Sequence, residues 1–376
     1  MIIAFCLFKY FPFGGLQRDF LRIATTVAER GAKVRIYVLS WQGERPDNFD
    51  IVTVPATSST NHGKNKEYYQ WVQQHLAQHP VDRIMGFNKM PGLDVYYAAD
   101  VCYAEKVAKE KGFFYKLTPR YRHFAAFEEA VFRKGAKTEL LMLTDRQISD
   151  FKKHYGTEDA RFHILPPGIY PDRKYSAHPP GCREQFRREN NIAAGELLIL
   201  QVGSDFSRKG VDRSIRAFAA LPATVKSNAR LVVVGQDKPG KYEALAEKLG
   251  VKGQVWFYAG RNDVSQLMMA ADVLIHPAYQ EAAGIVLLEA IAAGLPVLTT
   301  EVCGYAHYIQ KAQCGEVIAE PFQQAALDAA LLKAATDDAQ RTQWAENARH
   351  YADTKDIYSL PEKVADIIMN ECHIFQ

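Results

Sequence analysis

Short apolar runs alternate along this chain with longer stretches in which apolar positions recur every three or four residues, a pattern that predicts parallel strands joined by crossover helices. Residues 2–8 predict the first strand. After the loop 9–15, Leu16, Phe20, Ile23, Ala24 and Val27 follow helical spacing, and Gly31 supplies a stop. Residues 33–39, 83–86, 140–143 and 162–165 predict further strands. Pro166-Pro167-Gly168 then breaks the pattern and Ser176–Gly181 adds three more Pro/Gly residues, which marks a linker. Beyond it the alternation restarts: strands at 197–202, 231–234, 255–257, 273–276 and 296–299, helices at 211–220 and 285–293, with a loop at 203–210. The segment 360–369 is amphipathic and is expected to return to the first half. The predicted architecture is α/β, with two Rossmann-like, doubly wound domains at 1–166 and 167–355 and a terminal helix at 356–376. Ligands of such sheets bind beyond the carboxyl ends of the strands, here in a cleft between the domains.

The candidate chemistry sits at those strand ends. Glu281-Ala282-Ala283-Gly284-Ile285 follows the 273–276 strand, and Gly284 opens a helix whose first N–H groups attract an anion. Glu289 lies inside that helix among Val286, Leu287, Leu288 and Ile291, where a carboxylate is costly unless something polar answers it. Arg208-Lys209 stands between a strand and a helix, where adjacent cations can neutralise an anionic group without a metal, and the sequence has no Asp-x-Asp pair. Gly14-Gly15 fills the first strand-to-helix turn, where positive φ or close backbone approach favours glycine, but it is not a Gly-x-Gly-x-x-Gly fingerprint. That lowers a nicotinamide oxidoreductase reading. Asp19 is placed in the first helical turn, where the helix dipole alone explains it as well as an acceptor-facing or base role does. His276, His307 and the other histidines lack metal-ligand spacing and read as structural or surface residues, so no metal site is expected.

The paired glutamates, followed by Ala-Ile-Ala-Ala-Gly-Leu-Pro-Val, resemble the retaining nucleotide-sugar glycosyltransferases of family 4, which have the GT-B fold. The resemblance implies that Glu281 holds the donor sugar's hydroxyls and Glu289 the ribose. It also implies that the N–H groups of Ala282, Ala283, Gly284 and Ile285 cap the diphosphate or sugar, that Arg208 and Lys209 meet the phosphates, and that Gly14 and Gly15 let the backbone approach them. Arg173 and Arg261 fall where the family places nucleotide contacts. Asp100 stands near where relatives often present a histidine, and Ala283 where they often carry a bulkier residue; both are departures. Segments 11–20, 86–94, 165–173 and 281–289 resemble, within that family, the glucosyltransferases of the lipopolysaccharide core. This implies a hexosyltransferase that takes UDP-glucose as donor and the second heptose of a heptosylated inner-core lipopolysaccharide as acceptor. It implies attack on the face the diphosphate leaves, no cofactor or metal, and other core-assembly enzymes as candidate partners. The alternatives are another UDP-sugar-dependent GT-B enzyme, a UDP-sugar epimerase that needs no acceptor, and a non-catalytic membrane-bound binder of sugar nucleotides.

Composition narrows the setting. With 376 residues, 48% of them hydrophobic and 24% charged, the chain has material for packed cores and is not disordered or fibrous. A net charge of +3 is too mild to announce a nucleic-acid protein, but residues 1–168 carry +6 and residues 169–376 carry −3. Six scattered cysteines, Cys372 among them, argue against a disulfide framework. No stretch approaches the ~18 apolar residues of a membrane span, and no signal peptide is evident, so a cytoplasmic protein is expected. Residues 103–134 stand apart, with eight aromatics and eight cations against four acids. Phe113, Phe114, Tyr115, Lys116, Arg120, Arg122 and Phe124 form a candidate patch for peripheral docking on the anionic cytoplasmic leaflet of the inner membrane. A core-facing aromatic helix with a solvated face is the plainer alternative, and stacking on single-stranded nucleic acid a weaker one.

Overall fold

The computed structural model describes residues 1–12 and 14–370; Phe13 of the segment 11–20, Cys372 and the end of the 356–376 tail lie outside the described residues. The chain divides into two compact units, one of Met1–Gly168 with the segment that begins at Ser359, the other of Ile169–Tyr358. In the first, strands β1 (Ile2–Cys6), β2 (Lys33–Val38), β3 (Phe49–Thr53), β4 (Arg83–Gly86), β5 (Val95–Ala98), β6 (Glu139–Met142) and β7 (Phe162–Ile164) form one parallel sheet in the order β3-β2-β1-β4-β5-β6-β7. Register pairs Phe5 with Ile36 on one side and with Met85 on the other, so the winding reverses between β1 and β4. Helix α1 (Gly15–Glu29) buries Phe20, Ile23, Ala24 and Val27 against Ile3 and Phe5 of the sheet. Opposite, helices α2 (Tyr103–Glu110) and α3 (Pro119–Phe132) flank a one-turn helix at Phe113–Leu117, and Phe127, Val131 and Phe132 of α3 enter a second core with Tyr68 and Tyr96.

In the second unit β8 (Leu197–Val202), β9 (Ala229–Val234), β10 (Val255–Tyr258), β11 (Val273–His276), β12 (Val297–Thr300) and β13 (Gly315–Ile318) lie parallel in the order β10-β9-β8-β11-β12-β13. The winding reverses between β8 and β11. Helix α4 (Val211–Ala220) follows β8 and α5 (Ile285–Ala292) follows β11. The last helix, α6 (Leu360–Asn370), belongs to the first unit, where Leu360, Val364, Ala365 and Ile368 join the core of α1 and Arg30 pairs with Asp366 at 2.7 Å. Burying each of its larger side chains contributes about 1.5–3 kcal/mol.

Three corrections concern elements. The first strand stops at Cys6 rather than residue 8, and part of the expected loop, Lys9–Tyr10, pairs in parallel with Ser40–Trp41, where Tyr10 stacks on Trp41 at 3.9 Å between centroids. Strands β3, β5 and β13 have no counterpart in the sequence pattern. The aromatic stretch 103–134, whose plainer reading is a core-facing aromatic helix, is two helices and a turn.

Candidate functional site

The reversal between β8 and β11 puts the loops that leave these two strands side by side, the place where open α/β sheets bind ligands. One loop carries Arg208 and Lys209, the other Glu281. Gly210 caps α4 with φ 69°, and a Cβ there would collide with the Pro277 carbonyl, so only glycine lets the first loop lie this close to the second. Cross-links stitch them: Tyr279 N donates to Arg208 O at 2.8 Å, Arg213 Nη1 to the carbonyls of Pro277 (3.2 Å) and Ala278 (3.1 Å), and Tyr279 Oη to Asp212 at 2.8 Å. The Arg213 guanidinium lies 3.6 Å from the ring centroids of both Tyr279 and Phe322. From the other side, Tyr305 N donates to Ala283 O at 2.7 Å and Gly304 N to Glu281 O at 3.3 Å, which fixes the turn into α5.

Within this frame Lys209 Nζ donates to Glu281 Oε2, and Arg208 Nη1 reaches Glu281 Oε1 at 3.5 Å and Gln280 O at 3.2 Å. Arg208 Nε also meets Asp205 at 3.1 Å. Lys209 and Glu281 are nearly enclosed, with side chains 12% and 10% exposed, whereas Arg208 is 39% exposed. Burial, and then the charge of Arg208, pulls the Lys209 ammonium down to about 8. The Glu281 carboxylate in contact with it works in the opposite direction. A cavity of about 670 Å³ opens beside Arg208, lined among others by Asp205, Asp212, Lys241, Tyr279 and Gln280.

Gly284 caps α5 in the left-handed conformation, φ 88°, and Ala282, Ala283 and Ile285 around it are half-buried. The first-turn N–H groups of a helix have no intrahelical carbonyl to meet. Glu289 is half-buried too, one turn beyond Ile285, while Val286, Leu287, Leu288, Ala290 and Ile291 go into the core. The apolar run is therefore the inner face of α5 and Glu289 stands on its rim.

The other expected residues lie on other loops of the second unit or in the first unit. Arg261 is gripped bidentately by Asp263 at 2.6 and 2.7 Å, which raises its pKa further. Arg173, at the end of a one-turn helix, has its Nε 3.9 Å from Asp172. Gly14, Gly15, Asp19 and Asp100 belong to the first unit. Gly14 has φ −89° and neither glycine uses the left-handed region, so of the two readings of this turn positive φ is the one that fails. At Gly14 the demand is space, because a Cβ would lie 2.8 Å from the Phe11 ring and collide with Gln17. Asp19 is the fifth residue of α1, past the first turn where the dipole acts, and Tyr97 Oη donates to it at 2.7 Å. Asp100 is exposed in the loop after β5.

His276, which the sequence reads as a structural or surface residue, ends β11 fully buried, with Nε2 3.7 Å from Glu281 Oε2. Burial, and then the charges of Lys209 and Arg208, pushes its imidazole well below the ordinary range. His307 is half-buried, with Nδ1 3.0 Å from Gly304 O. Arg213 and Tyr279 carry no motif in the sequence; their signal is position alone, at the start of α4 and two residues before Glu281.

In the aromatic stretch Phe113 and Phe114 are 74% and 80% exposed and Leu117 joins them, with Lys116, Arg120 and Arg122 exposed alongside. Tyr115 and Phe124 are half-buried, and Phe127 and Phe132 are core. Glu128 is buried, accepting from Lys89 Nζ at 2.5 Å, Tyr155 Oη at 2.6 Å, and the N–H groups of Tyr103 (2.7 Å) and Ala104 (2.9 Å). Glu105 is buried as well, so all eight cations of the stretch are exposed against two exposed acids, Glu110 and Glu129.

Two doubly wound units, the second with a cation pair and an enclosed carboxylate at its switch point, make up the architecture of a GT-B glycosyltransferase. Comparisons with known proteins agree. Residues 182–351 match the family described as glycosyl transferases group 1. The chain is 69% identical to lipopolysaccharide glucosyltransferase WaaG of Escherichia coli K12, over 98% of either chain. A crystal structure of WaaG, a glycosyltransferase involved in lipopolysaccharide biosynthesis, superposes with a TM-score of 0.95 at 68% identity, covering 98% of this chain and 99% of that one. HepE of Anabaena, solved with UDP-glucose, shares the fold alone, with a TM-score of 0.76 at 17% identity over 98% of this chain and all of that one. The chain belongs to the group 1 glycosyltransferases. Among the described residues no group of three His, Cys, Asp or Glu side chains could hold a metal ion, and no helix is long and apolar enough to cross a membrane.

Proposed function

We propose that the protein transfers glucose, with retention, from UDP-glucose to the second heptose of the lipopolysaccharide inner core, at the cytoplasmic face of the inner membrane. The observation that carries this reading is the Arg208–Lys209–Glu281 constellation at the switch point, in a chain 69% identical to a lipopolysaccharide glucosyltransferase. Arg208 and Lys209 stabilise charge developing on the β-phosphate, fixed cations doing the work a divalent ion does elsewhere. Glu281 orients the glucose, Glu289 holds the ribose, and the N–H groups from Ala282 to Ile285 meet the diphosphate or sugar. The acceptor hydroxyl attacks the anomeric carbon on the face the diphosphate leaves. The bond to the β-phosphate oxygen breaks as the new glycosidic bond forms, and that phosphate oxygen takes the acceptor's proton. The basic first unit, with its exposed phenylalanines, docks on anionic lipid near a phosphorylated acceptor.

The test is incubation with UDP-glucose, with and without a truncated heptosylated core lipopolysaccharide, following UDP release and acceptor mass. An acceptor-dependent gain of one hexose, unchanged in EDTA, is expected. UDP-glucose consumption without acceptor, or UDP-glucose binding with no UDP release, would replace this reading with an epimerase or a non-catalytic binder. Loss of turnover in EDTA would remove the metal-independent mechanism.

A further inference from the structure

The site as it stands poses a question of charge. The proposed reaction needs Lys209 on the diphosphate and Glu281 on the sugar, yet here the two side chains are spent on each other. When phosphate draws Lys209 away, the Glu281 carboxylate, nearly enclosed, loses its closest counter-charge, and an enclosed carboxylate without a donor is costly. Arg208 does not replace it well, since it lies 3.5 Å away, is shared with Asp205 and Gln280, and is itself wanted by the phosphates.

One group nearby has unused capacity. His276 is completely buried, neither ring nitrogen has a hydrogen-bond partner, and Nε2 lies 3.7 Å from Glu281 Oε2. A buried polar side chain left without any partner is rare in a folded protein and calls for a reason. Thr299, beside it, donates to the backbone carbonyl of His276 at 3.1 Å, which anchors the residue. A closing movement of under ~1 Å brings Nε2 within hydrogen-bond range of the carboxylate.

Resting on the function proposed above, we infer that His276 is a positioning residue: once the donor diphosphate engages Lys209, Nε2–H takes one oxygen of Glu281 and leaves the other aimed at the sugar hydroxyls. A neutral imidazole suits this, because it has one N–H to give and adds no third cation to compete for Glu281 in the resting site. The low basicity that burial imposes on the ring keeps it in that form. The arrangement is a hand-off, with Lys209 holding Glu281 before the donor arrives and His276 holding it after.

The test compares His276→Leu and His276→Gln with wild type for UDP dissociation constant, UDP-glucose kcat/KM and thermal midpoint. Leu removes two unpartnered buried nitrogens, so the midpoint is expected to stay level or rise. UDP, which has no glucose, is expected to bind within about twofold of wild type, while kcat/KM falls about 10- to 100-fold, the cost of a misplaced reacting group. Gln restores a side-chain N–H near the Nε2 position and is expected to recover part of the loss. In a Glu281→Ala background His276→Leu should add less than about twofold, since its route to the sugar is gone. Wild-type kcat/KM in His276→Leu overturns the inference, as does a parallel drop in thermal midpoint and UDP affinity, which marks a packing role. If Leu does not fold, His276→Gln decides: kcat/KM above that of Glu281→Ala supports the hand-off, and kcat/KM equal to it overturns it. A wild-type enzyme that releases no UDP with donor and acceptor present sinks the function itself, a result distinct from any of these.

Discussion

Lys209 is where the electrostatics of this site become measurable. Burial and Arg208 bring its ammonium down to about 8, so in the free enzyme the charge proposed to meet the diphosphate is present below that pH and lost above it. Because kcat/KM reports groups of the free enzyme, its pH profile should fall on the alkaline side through about 8. Lys209→Arg, whose guanidinium stays charged, should abolish that limb even if its overall rate is lower. Lys209→Ala should reduce kcat by about 10²–10³-fold. A wild-type profile flat to pH 9.5, or full turnover in Lys209→Ala, would remove this lysine from the mechanism. Glu281 and the cation pair are picked out in the sequence because each follows a strand and precedes a helix, the place where such sheets present charge to a ligand. His276 is not, because it reads as the last residue of the buried strand Val-Leu-Ile-His and its chemistry depends on a neighbour five residues on that only the turn brings back. Asp19 misleads for a related reason: counting from the glycines places it in the first turn, whereas the helix begins at Gly15 itself and the partner that matters, Tyr97, is on β5.

At the scale of elements, β8 and β11 are readable because both faces of these central strands are covered, so they are apolar but for Gln201 and the terminal His276, and the pattern reproduces their bounds. Not all the edges are. β3 and β13 each have one neighbour, mix polar with apolar residues and escape the pattern, whereas the other two edges, β7 and β10, are predicted; β5 is central and is missed as a run of only four residues. The helices of the aromatic stretch also hide their logic, since two of their four acids are interior devices. Burial pushes the Glu128 carboxyl up, but Lys89, Tyr155 and the first N–H groups of α2 outweigh it and hold it below the ordinary range. Glu128→Ala would strand Lys89 beside the carbonyl of Val101 and leave the start of α2 uncapped, so the first unit should lose about 3–5 kcal/mol in denaturant unfolding. A loss under 1 kcal/mol would contradict that account. Glu105 ties α2 to Lys153 and His154, with Lys109 adding to them, and these contacts lower its carboxyl from 4.5 to about 2. The folded state favours the ionised form, so this contribution is whole above about 4.5 and fades as pH falls toward 2. The stability difference between wild type and Glu105→Gln should therefore shrink across that window. A difference that stays constant from pH 6 to 2.5 would deny the carboxylate its role.

For the whole molecule, the uneven charge gains a place to act. Residues 1–168 carry +6, and on the aromatic stretch two of the four acids that would offset the cations have been folded inward. What faces water around Phe113 and Phe114 is thus more basic than the sequence count of eight cations against four acids suggests, and its two phenylalanines are almost fully exposed. Exposed aromatic side chains ringed by cations suit the headgroup region of an anionic bilayer, where each cation adds about 1 kcal/mol and the rings bury part of their apolar area. Neither contribution is enough alone for stable docking; the proposed docking rests on both, so salt should weaken it by screening the charges and loss of the rings should weaken it at any salt. Co-sedimentation with vesicles should therefore rise with anionic lipid and fall between 50 and 300 mM salt, concentrations that bracket a Debye length of about 10 Å. The double substitution Phe113→Ser and Phe114→Ser should weaken binding about tenfold or more at low salt, the equivalent of about 1.4 kcal/mol. Equal binding to neutral and anionic vesicles would show that charge plays no part. Undiminished binding of the double variant would show that the rings, despite their exposure, do not enter the lipid.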